Sequence, residues 1–242
     1  DIWDAPADRL HAKKRFRPVA SGTVSAAQAY TLMVVMLGLS VAIVLFSGGE
    51  TRWKLLSIIG IYFFLNIAYC LKLKQITIVD VFIISTGFVL RVLAGGWVTG
   101  ITLSHWIVLM TFLIALFLAF AKRRDDVLVF ERTQVQNRKN INRYNLEYMN
   151  QVLSITGVIT IISYIMYTVS AEVTTRLKTD YVYITSIFVL AGIFRYQQLT
   201  LVDTKSYSPT KILLHDRFIQ ACVVLWAVFF AIIIYFLPLI NK

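Results

Sequence analysis

The sequence predicts an all-α protein, a polytopic bundle of transmembrane helices. Hydrophobic residues make up 58% of its 242 positions and the mean hydropathy is +0.70, which exceeds what an ordinary soluble domain carries. Charged residues are only 15% of the chain, and they are clustered. Apolar runs of about 20 residues recur along the whole length, and each would cross the ~30 Å hydrocarbon core as a helix.

Seven such runs predict seven membrane helices, and glycines or Pro238 follow several of them. We find no internal repeat, so residues 1–242 are predicted to form a single transmembrane domain. Cys70 and Cys222 lie within apolar runs without metal-ligand spacing and are interpreted as packing residues. The predicted helices are Ala26–Phe46, Lys54–Leu71, Thr77–Val98, Ser104–Ala121, Met149–Ser170, Tyr181–Leu199 and Phe218–Leu237.

The basic residues predict the topology. If residues 1–25 are cytoplasmic, that side carries 18 of the 24 Lys and Arg, and the other side carries five. This bias follows the positive-inside rule and predicts a multi-pass protein of the inner (cell) membrane. The net charge of +11 is therefore interpreted as membrane topology and anionic ligands, and nucleic acid is excluded as a partner. Most acids fall on the same side, which topology does not explain and which indicates a site there.

The opening stretch predicts a magnesium–diphosphate site. Asp1, Asp4 and Asp8 are spaced i, i+3 and i+7, so on a helix their carboxylates share one face. Mg²⁺ binds one or two protein carboxylates and completes its shell with water and substrate phosphates. A solvated juxtamembrane helix is the alternative, but three acids on one face would repel one another. The basic residues beside them, candidates for phosphate binding, are Arg9, Lys14, Arg15 and Arg17, and Lys14 is also assigned a catalytic role.

A second constellation opens the longest hydrophilic connection, where the fourth predicted helix leaves the membrane. Asp125 and Asp126 are predicted to bind a second Mg²⁺ or to share the first. The alternative is a positive-inside loop, although topology gains nothing from two acids. The neighbouring candidates for substrate binding are Lys122, Arg123, Arg138, Lys139 and Tyr144.

Two weaker groups complete the set. Asp80 and Arg91 are eleven residues apart, close to three helical turns, so they share a face of the third predicted helix, and Tyr69 and Lys74 precede it. Ionisable residues inside membrane helices normally face the protein interior or a watery cavity. For Arg91, substrate binding and a structural pairing remain open. Asp216–Arg217 before the last helix is equally a binding pair or a helix cap.

These residues resemble the UbiA-type superfamily of intramembrane prenyltransferases, whose first motif is N-D-x-x-D-x-x-x-D. Within it, the chain is most similar to the decaprenyl-phosphate phosphoribosyltransferase branch. The Asn of the motif is absent before Asp1, and the family has nine helices where this chain shows seven. We therefore expect two helices to be missing from its start. The matching stretches are Asp8-Arg9 with Lys14 to Pro18 and Gly22, Leu73-Lys74 with Asp80, Arg91 and Gly95-Gly96, Lys122-Arg123, Arg138-Lys139 with Tyr144, and Asp216-Arg217.

The resemblance implies transfer of 5-phosphoribose from phosphoribosyl diphosphate to a polyprenyl phosphate. The reaction would use Mg²⁺, release diphosphate and take place at the cytoplasmic membrane face. One alternative is prenyl transfer to an aromatic acceptor in quinone biosynthesis, which would predict a richer second Asp motif. A transporter or an assembly subunit is another, but it should carry polar features at mid-membrane in both halves. Assembly into a homo-oligomer remains open.

Overall fold

The computed structural model describes residues 2–9, 14–46, 49, 51–133, 141–203 and 209–235. Within these ranges the chain is helical and contains no strand. The predicted all-α class is therefore confirmed. The α-helices are α1 (Ala5–Arg9), α2 (Ala26–Phe46), α3 (Thr51–Leu71), α4 (Val79–Thr99), α5 (His105–Thr133), α6 (Leu146–Val169), α7 (Ala171–Leu177), α8 (Ser186–Leu201), α9 (Pro209–His215) and α10 (Arg217–Tyr235).

Six of these helices, α2 to α6 and α10, are long and apolar enough to cross a membrane. The remaining predicted span, the sixth along the chain, corresponds to Tyr181–Leu201, which joins a 3-10 turn to α8. Together with α7 it forms a pair bent by 103°, and it completes seven spans if that pair counts as one. The predicted polytopic bundle is thus confirmed, with a sharp break before its sixth span.

The fourth predicted helix was placed too short. It was expected to end at Ala121, but α5 continues to Thr133. The added segment contains no Gly or Pro, and half of its twelve residues are Lys, Arg, Leu or Glu, which favour helix. Arg123 and Asp126 also pair across one helical turn. The sequence Lys122–Asp126 therefore lies on a helix and not in a loop.

The described chain divides into two compact units. We call residues 1–83 with 89–103 the N-terminal unit, and residues 84–88 with 104–242 the C-terminal unit. The C-terminal unit has a core in which Phe117, Leu153 and Ile193 are buried. Packing around Gly157 is close, since an added Cβ would lie 2.6 Å from Gln197 Nε2 and would displace the Gln197 side chain. The amide of Gln197 instead donates a hydrogen bond to the carbonyl of Leu153.

The N-terminal unit is packed more loosely. None of the residues of α2 is buried, and α3 buries only Leu55 and Ile58. The connection between α3 and α4 is short and contains a 3-10 turn over Leu73–Gln75. This turn carries Lys74, and α1 carries Asp8 and Arg9, which the sequence analysis identified as candidates.

Candidate active site

The helix α1 places two carboxylates on one face. The backbone N–H of Asp8 donates to the carbonyl of Asp4 at 2.8 Å, so the two residues are one turn apart. Asp8 is nearly buried and accepts a hydrogen bond from Arg17 at 2.8 Å. The Asp4 side chain is 43% exposed and forms an ion pair with Lys74. Each carboxylate therefore already faces a positive charge.

Lys74 reaches Asp4 from the 3-10 turn between α3 and α4, 70 positions along the chain. The backbone N–H of Gln75 bonds to the carbonyl of Lys72 at 2.9 Å and holds this turn. After it, Ile78 adopts a left-handed conformation with φ of 72°, which a β-branched residue rarely takes. Asp80 follows in the first turn of α4 and is completely buried. Strain of this kind persists where the surrounding structure fixes the backbone, often at functional sites.

The basic residues after α1 serve different contacts. Arg9 donates from Nε to the carbonyl of Ala20 at 3.2 Å, and Arg17 holds Asp8. These two residues therefore fold the segment after α1 back onto it. Arg15 is exposed and lies 4.9 Å from the ring centre of Phe16. Asp1 and the side chain of Lys14 lie outside the described residues.

The donor set of α1 suits a magnesium ion. Among the described residues, no three His, Cys, Asp or Glu side chains converge as they would in an all-protein metal cage. Mg²⁺ does not require such a cage, because one or two carboxylates suffice when water and phosphate oxygens complete its shell. Asp4 is exposed and has Asp8 one turn away. The chemistry of these donors is therefore compatible with Mg²⁺ bound together with a phosphate-bearing substrate.

Two of the four Lys and Arg residues of α5 are buried. Arg123 keeps 2% of its side chain exposed and pairs with Asp126 at 2.6 Å. Arg124 is also buried, and its Nε donates to Oδ1 of Asn150 on α6 at 2.6 Å. Its Nη1 has no hydrogen-bond partner among the described residues. Lys122, in contrast, is exposed.

Arg124 and Asn150 were not assigned roles from the sequence. Nothing in the run Lys122-Arg123-Arg124 shows which cations turn inward. That depends on where α6 packs along α5, and the sequence does not give this register. Asn150 is a polar residue in the second turn of a membrane helix, which was the available signal.

The connection before α6 carries Tyr144, which is buried. Its ring stacks on Tyr148 with 6.2 Å between the ring centres. Asn145 caps α6, since its side-chain oxygen accepts a hydrogen bond from the backbone N–H of Tyr148 at 2.7 Å. The other two candidates in this connection, Arg138 and Lys139, lie outside the described residues.

Asp216 lies at the start of α10 and has two kinds of partner. One carboxylate oxygen accepts the backbone N–H of Ile219 at 2.9 Å, which is a helix cap. The other pairs with Arg195 of α8 at 2.8 Å. The Arg195 hydrogen bond holds the pKa of Asp216 below its ordinary value, the Ile219 N–H acts in the same direction, and burial opposes both. Of the two alternatives that the sequence left open, the geometry supplies the cap, while Arg217 is exposed beside it.

Arg91 lies further along α4 than Asp80, in the N-terminal unit. It donates to the hydroxyl of Tyr62 and lies 5.3 Å from the centre of that ring. Eleven residues of α4 separate it from Asp80, a rise of about 16 Å. Their side chains share a face, but that distance is too long for both to contact one phosphate. Tyr69, the last residue of this group, is half-buried near the end of α3.

Comparison with known proteins identifies relatives along almost the whole chain. The family model described as "UbiA prenyltransferase family" matches residues 1–215. A decaprenyl-phosphate phosphoribosyltransferase from Corynebacterium glutamicum is 30% identical over 240 residues, which cover 99% of this chain and 71% of that protein. A protein of the same name from Mycolicibacterium smegmatis is 31% identical over 242 residues, which cover 98% of this chain and 74% of its own length.

A solved structure shares the fold. A UbiA homolog from Archaeoglobus fulgidus, bound to DMAPP and Mg²⁺, superposes with a TM-score of 0.66 over 98% of this chain and 81% of that one. The two sequences are 17% identical. At this identity the comparison establishes the helical architecture, and the residues of the site must be argued from the chain itself.

Proposed function

The chain belongs to the UbiA prenyltransferase family and is a transferase, and from that premise we propose that it transfers 5-phosphoribose from phosphoribosyl diphosphate to a polyprenyl phosphate. The observation that carries this proposal is the match to two phosphoribosyltransferases of that lipid over 98–99% of the chain. The pairing of Asp4, directly before α1, with Lys74 supports it, because carboxylate and ammonium groups together suit a metal-bound diphosphate.

In the proposed reaction, a phosphate oxygen of the lipid forms a bond to C1 of the ribose. The bond between C1 and the diphosphate oxygen breaks, and diphosphate leaves with both electrons of that bond. A phosphomonoester has its second pKa near 6, so the acceptor is already ionised at neutral pH. No general base is required, which agrees with a candidate site that contains carboxylates and cations but no assigned histidine.

Asp4 and Asp8, with Asp1 before them, are the proposed ligands of Mg²⁺. When bound, Mg²⁺ would neutralise the charge that develops on the leaving diphosphate. Asp4 is proposed to exchange Lys74 for the metal ion, because 43% of its side chain is exposed. Lys74, once released from Asp4, can donate to a phosphate oxygen. Asp80 in the first turn of α4 and Tyr69 near the end of α3 are proposed as substrate-binding residues.

The remaining basic residues are proposed to bind phosphates according to their exposure. Arg15, Lys122 and Arg217 are exposed and can approach a ligand directly. Arg9, Arg17 and Arg123 already have protein partners and are proposed to act through the segments that they hold. Substrate binding is also proposed for five other residues: Lys14, Arg91, Arg138, Lys139 and Tyr144. Asp216 is proposed to contribute by capping α10. Asp125 and Asp126 are proposed as a second metal-binding pair.

The excess of Lys and Arg on one side of the predicted membrane helices supports a location in the inner (cell) membrane with the active site on the cytoplasmic face. The alternative activity is prenyl transfer to an aromatic acceptor. It is favoured by one observation, namely that the Archaeoglobus fulgidus homolog was solved with DMAPP and, separately, with GPP, each together with Mg²⁺. The two activities differ in the donor and can be separated by supplying one donor at a time.

The test uses the full chain purified in detergent or nanodiscs. We expect diphosphate release from phosphoribosyl diphosphate only when a polyprenyl phosphate and Mg²⁺ are both present, and none after chelation. Mass spectrometry of the lipid fraction should show the phosphoribosyl adduct. Absence of release from these substrates together would refute the proposal. Transfer from a prenyl diphosphate to a hydroxybenzoate or naphthoate instead would establish the alternative.

A further inference from the structure

The connection between α3 and α4 contains a strained residue four positions after Lys74. Ile78 has φ of 72° and ψ of −47°, and the backbone N–H of Val79 donates to the carbonyl of Thr77 at 2.8 Å. This geometry is a γ-turn centred on Ile78, of the form with positive φ that is rare and strained. Glycine adopts positive φ readily, whereas a β-branched residue meets a steric penalty. Ile78 therefore disfavours the conformation in which the structure holds it.

Ile78 also occupies the N-cap position of α4, where Ser, Thr, Asp or Asn is preferred. Its side chain has no acceptor for the first N–H groups of the helix. Carbonyls of the connection accept them instead, since Asp80 N–H bonds to Ile76 at 3.2 Å and Val79 N–H bonds to Thr77. The γ-turn thus takes the place of a side-chain cap and ties the connection to the start of α4.

Both ends of the connection are held. Toward α3, the backbone N–H of Ile76 closes the 3-10 turn that carries Lys74, with a bond of 3.1 Å. Toward α4, Asp80 and Val81 are completely buried. A strained conformation persists only where the surrounding contacts fix it. Here those contacts are the backbone bonds of the connection, the buried start of α4 and, through Lys74, the ion pair with Asp4.

The ion pair is the restraint that a ligand can remove. Lys74 keeps 19% of its side chain exposed and Asp4 keeps 43%, and pairs that are partly exposed exchange readily. When an anion takes Lys74 from Asp4, the connection loses the restraint at its α3 end, while the buried start of α4 stays in place. Ile78 lies between the two and can then return to a negative φ. Release of the lysine and relief of the strain are therefore coupled.

We infer that Ile78 is a positioning residue, whose strained turn sets how readily Lys74 leaves Asp4 to bind a phosphate oxygen. This inference rests on the proposed function, in which Lys74 and a metal ion at Asp4 hold the diphosphate of the donor. Strain that is present without ligand and relieved with it favours the bound state. Removing the strain should therefore stabilise the free protein and weaken its affinity for phosphoribosyl diphosphate. A purely structural residue would instead change stability and affinity in the same direction.

The strain is tested with glycine and alanine at two positions. Ile76 is the matched control, because Ile76 and Ile78 are both 41% exposed, but Ile76 has an ordinary φ of −93°. At Ile76, glycine should give a thermal midpoint about 1–4 °C below that of alanine, since glycine gains more freedom on unfolding. At Ile78 the order should reverse, because alanine keeps the Cβ that opposes positive φ. The same order at both positions would show that Ile78 is not strained and would overturn the inference.

Coupling to Lys74 is tested by acetylating the lysines of the full chain without substrate and locating the modified sites by mass spectrometry. The amine of Lys74 reacts only when it has left its carboxylate, so its rate reports how often the pair opens. In Ile78→Gly this rate should fall at least about threefold relative to Lys72, the exposed lysine two residues earlier. Ile76→Gly should leave the ratio unchanged. An unchanged or higher ratio in Ile78→Gly would overturn the inference.

Transfer kinetics test whether this coupling affects the reaction. Ile78→Gly should raise the KM for phosphoribosyl diphosphate at least about threefold and change kcat by less than about twofold. Ile76→Gly should leave KM within about twofold. The increase should vanish in a Lys74→Met background, since Ile78 acts through that lysine. An increase that persists there would overturn the inference.

The experiments separate this inference from the proposed function. If the wild-type protein transfers no phosphoribose while the midpoints and the acetylation rates change as expected, the proposed function fails and the coupling of Ile78 to Lys74 stands. If transfer occurs and Ile78→Gly changes neither KM nor acetylation of Lys74, only the inference about Ile78 fails.

Discussion

The charged clusters of the two units contrast in how they are assembled. In the N-terminal unit, Asp4 keeps 43% of its side chain exposed and pairs with Lys74, which is 70 residues away. In the C-terminal unit, Arg123 keeps 2% exposed and pairs with Asp126 three residues along its own helix. Exposed ion pairs are worth little and exchange readily, whereas a buried charge that loses its partner costs several kcal/mol. The first cluster is thus suited to exchanging protein contacts for ligand contacts, whereas the buried guanidinium of Arg123 is held by a partner on its own helix.

Asp4→Asn should give the largest effect on activity, because it removes the carboxylate of the exposed Asp4–Lys74 pair. We expect phosphoribosyl transfer to fall by at least about 100-fold, because the variant loses a proposed ligand of the Mg²⁺ that would neutralise charge on the leaving diphosphate. The thermal midpoint should change little, since the pair with Lys74 is partly exposed. Initial rates and melting curves in the same detergent test both statements.

The matched control for Asp4→Asn is Asp180→Asn, which neutralises an exposed acid in the connection after α7. It should leave both rate and midpoint unchanged. If Asp4→Asn kept its activity, or unfolded the protein while Asp180→Asn did not, Asp4 would be a structural residue and the contrast between the units would be wrong.

Asn150→Ala tests the buried contact between α5 and α6, in which Asn150 accepts a hydrogen bond from Arg124. Removing the amide leaves Nε of Arg124 buried without its acceptor, on a side chain whose Nη1 has no partner among the described residues. We expect a loss of about 1–3 kcal/mol in the free energy of unfolding. Unfolding by sodium dodecyl sulfate in mixed micelles would measure it.

The control for Asn150→Ala is Asn66→Ala. The amide of Asn66 is exposed and bonds only one turn back, to the carbonyl of Tyr62 on its own helix. Its removal should cost less than about 0.5 kcal/mol. Equal losses in both variants would show that burial does not distinguish these two asparagines.

Much of the fold was predictable, because long apolar runs have few alternatives in a membrane. The predicted bounds of α2 agree with the structure, and the end-points of other helices differ by a few residues where they end in polar sequence. The end of α5 was wrong by twelve residues. A change from apolar to charged residues marks the membrane surface, and a helix can continue beyond that surface when its residues favour helix.

The candidate site was predictable in composition but not in pairing. Asp4, Asp8 and Lys74 were each identified from the sequence, yet nothing in it showed that Lys74 would meet Asp4 while Arg17 would meet Asp8. The Lys74 contact depends on the connection between α3 and α4, which contains a 3-10 turn over Leu73–Gln75 and a positive φ at Ile78. Spacing on one helix is readable because its period is fixed, whereas contacts between helices depend on packing.

The Asp216–Arg195 pair is intermediate in burial, and its contribution to stability can be tested by changing the pH. Arg195 and the Ile219 N–H keep the pKa of Asp216 below its ordinary value of 3.8. A depressed carboxyl pKa stabilises the fold above the unfolded pKa, and this stabilisation is lost as the pH falls through the folded pKa. Asp216→Asn should therefore lower the thermal midpoint at pH 7, with the difference closing below about pH 4. Asp216→Ala also removes the cap and should cost about 1 kcal/mol more at every pH. A difference that persisted unchanged at pH 3 would contradict this assignment.

The smallest expected effect is the coupling between Asp4 and Lys74 in the folded protein without ligand. A double-mutant cycle with Asp4→Asn and Lys74→Met should give about 0.2–1 kcal/mol, and added salt should reduce it. The same cycle on transfer rates should couple far more strongly, because the proposed site uses both groups on one diphosphate. A stability coupling above about 2 kcal/mol would place this pair with the buried contacts of α5. The acid and the lysine would then be fixed to each other, and Asp4 would not be available for exchange with a metal ion.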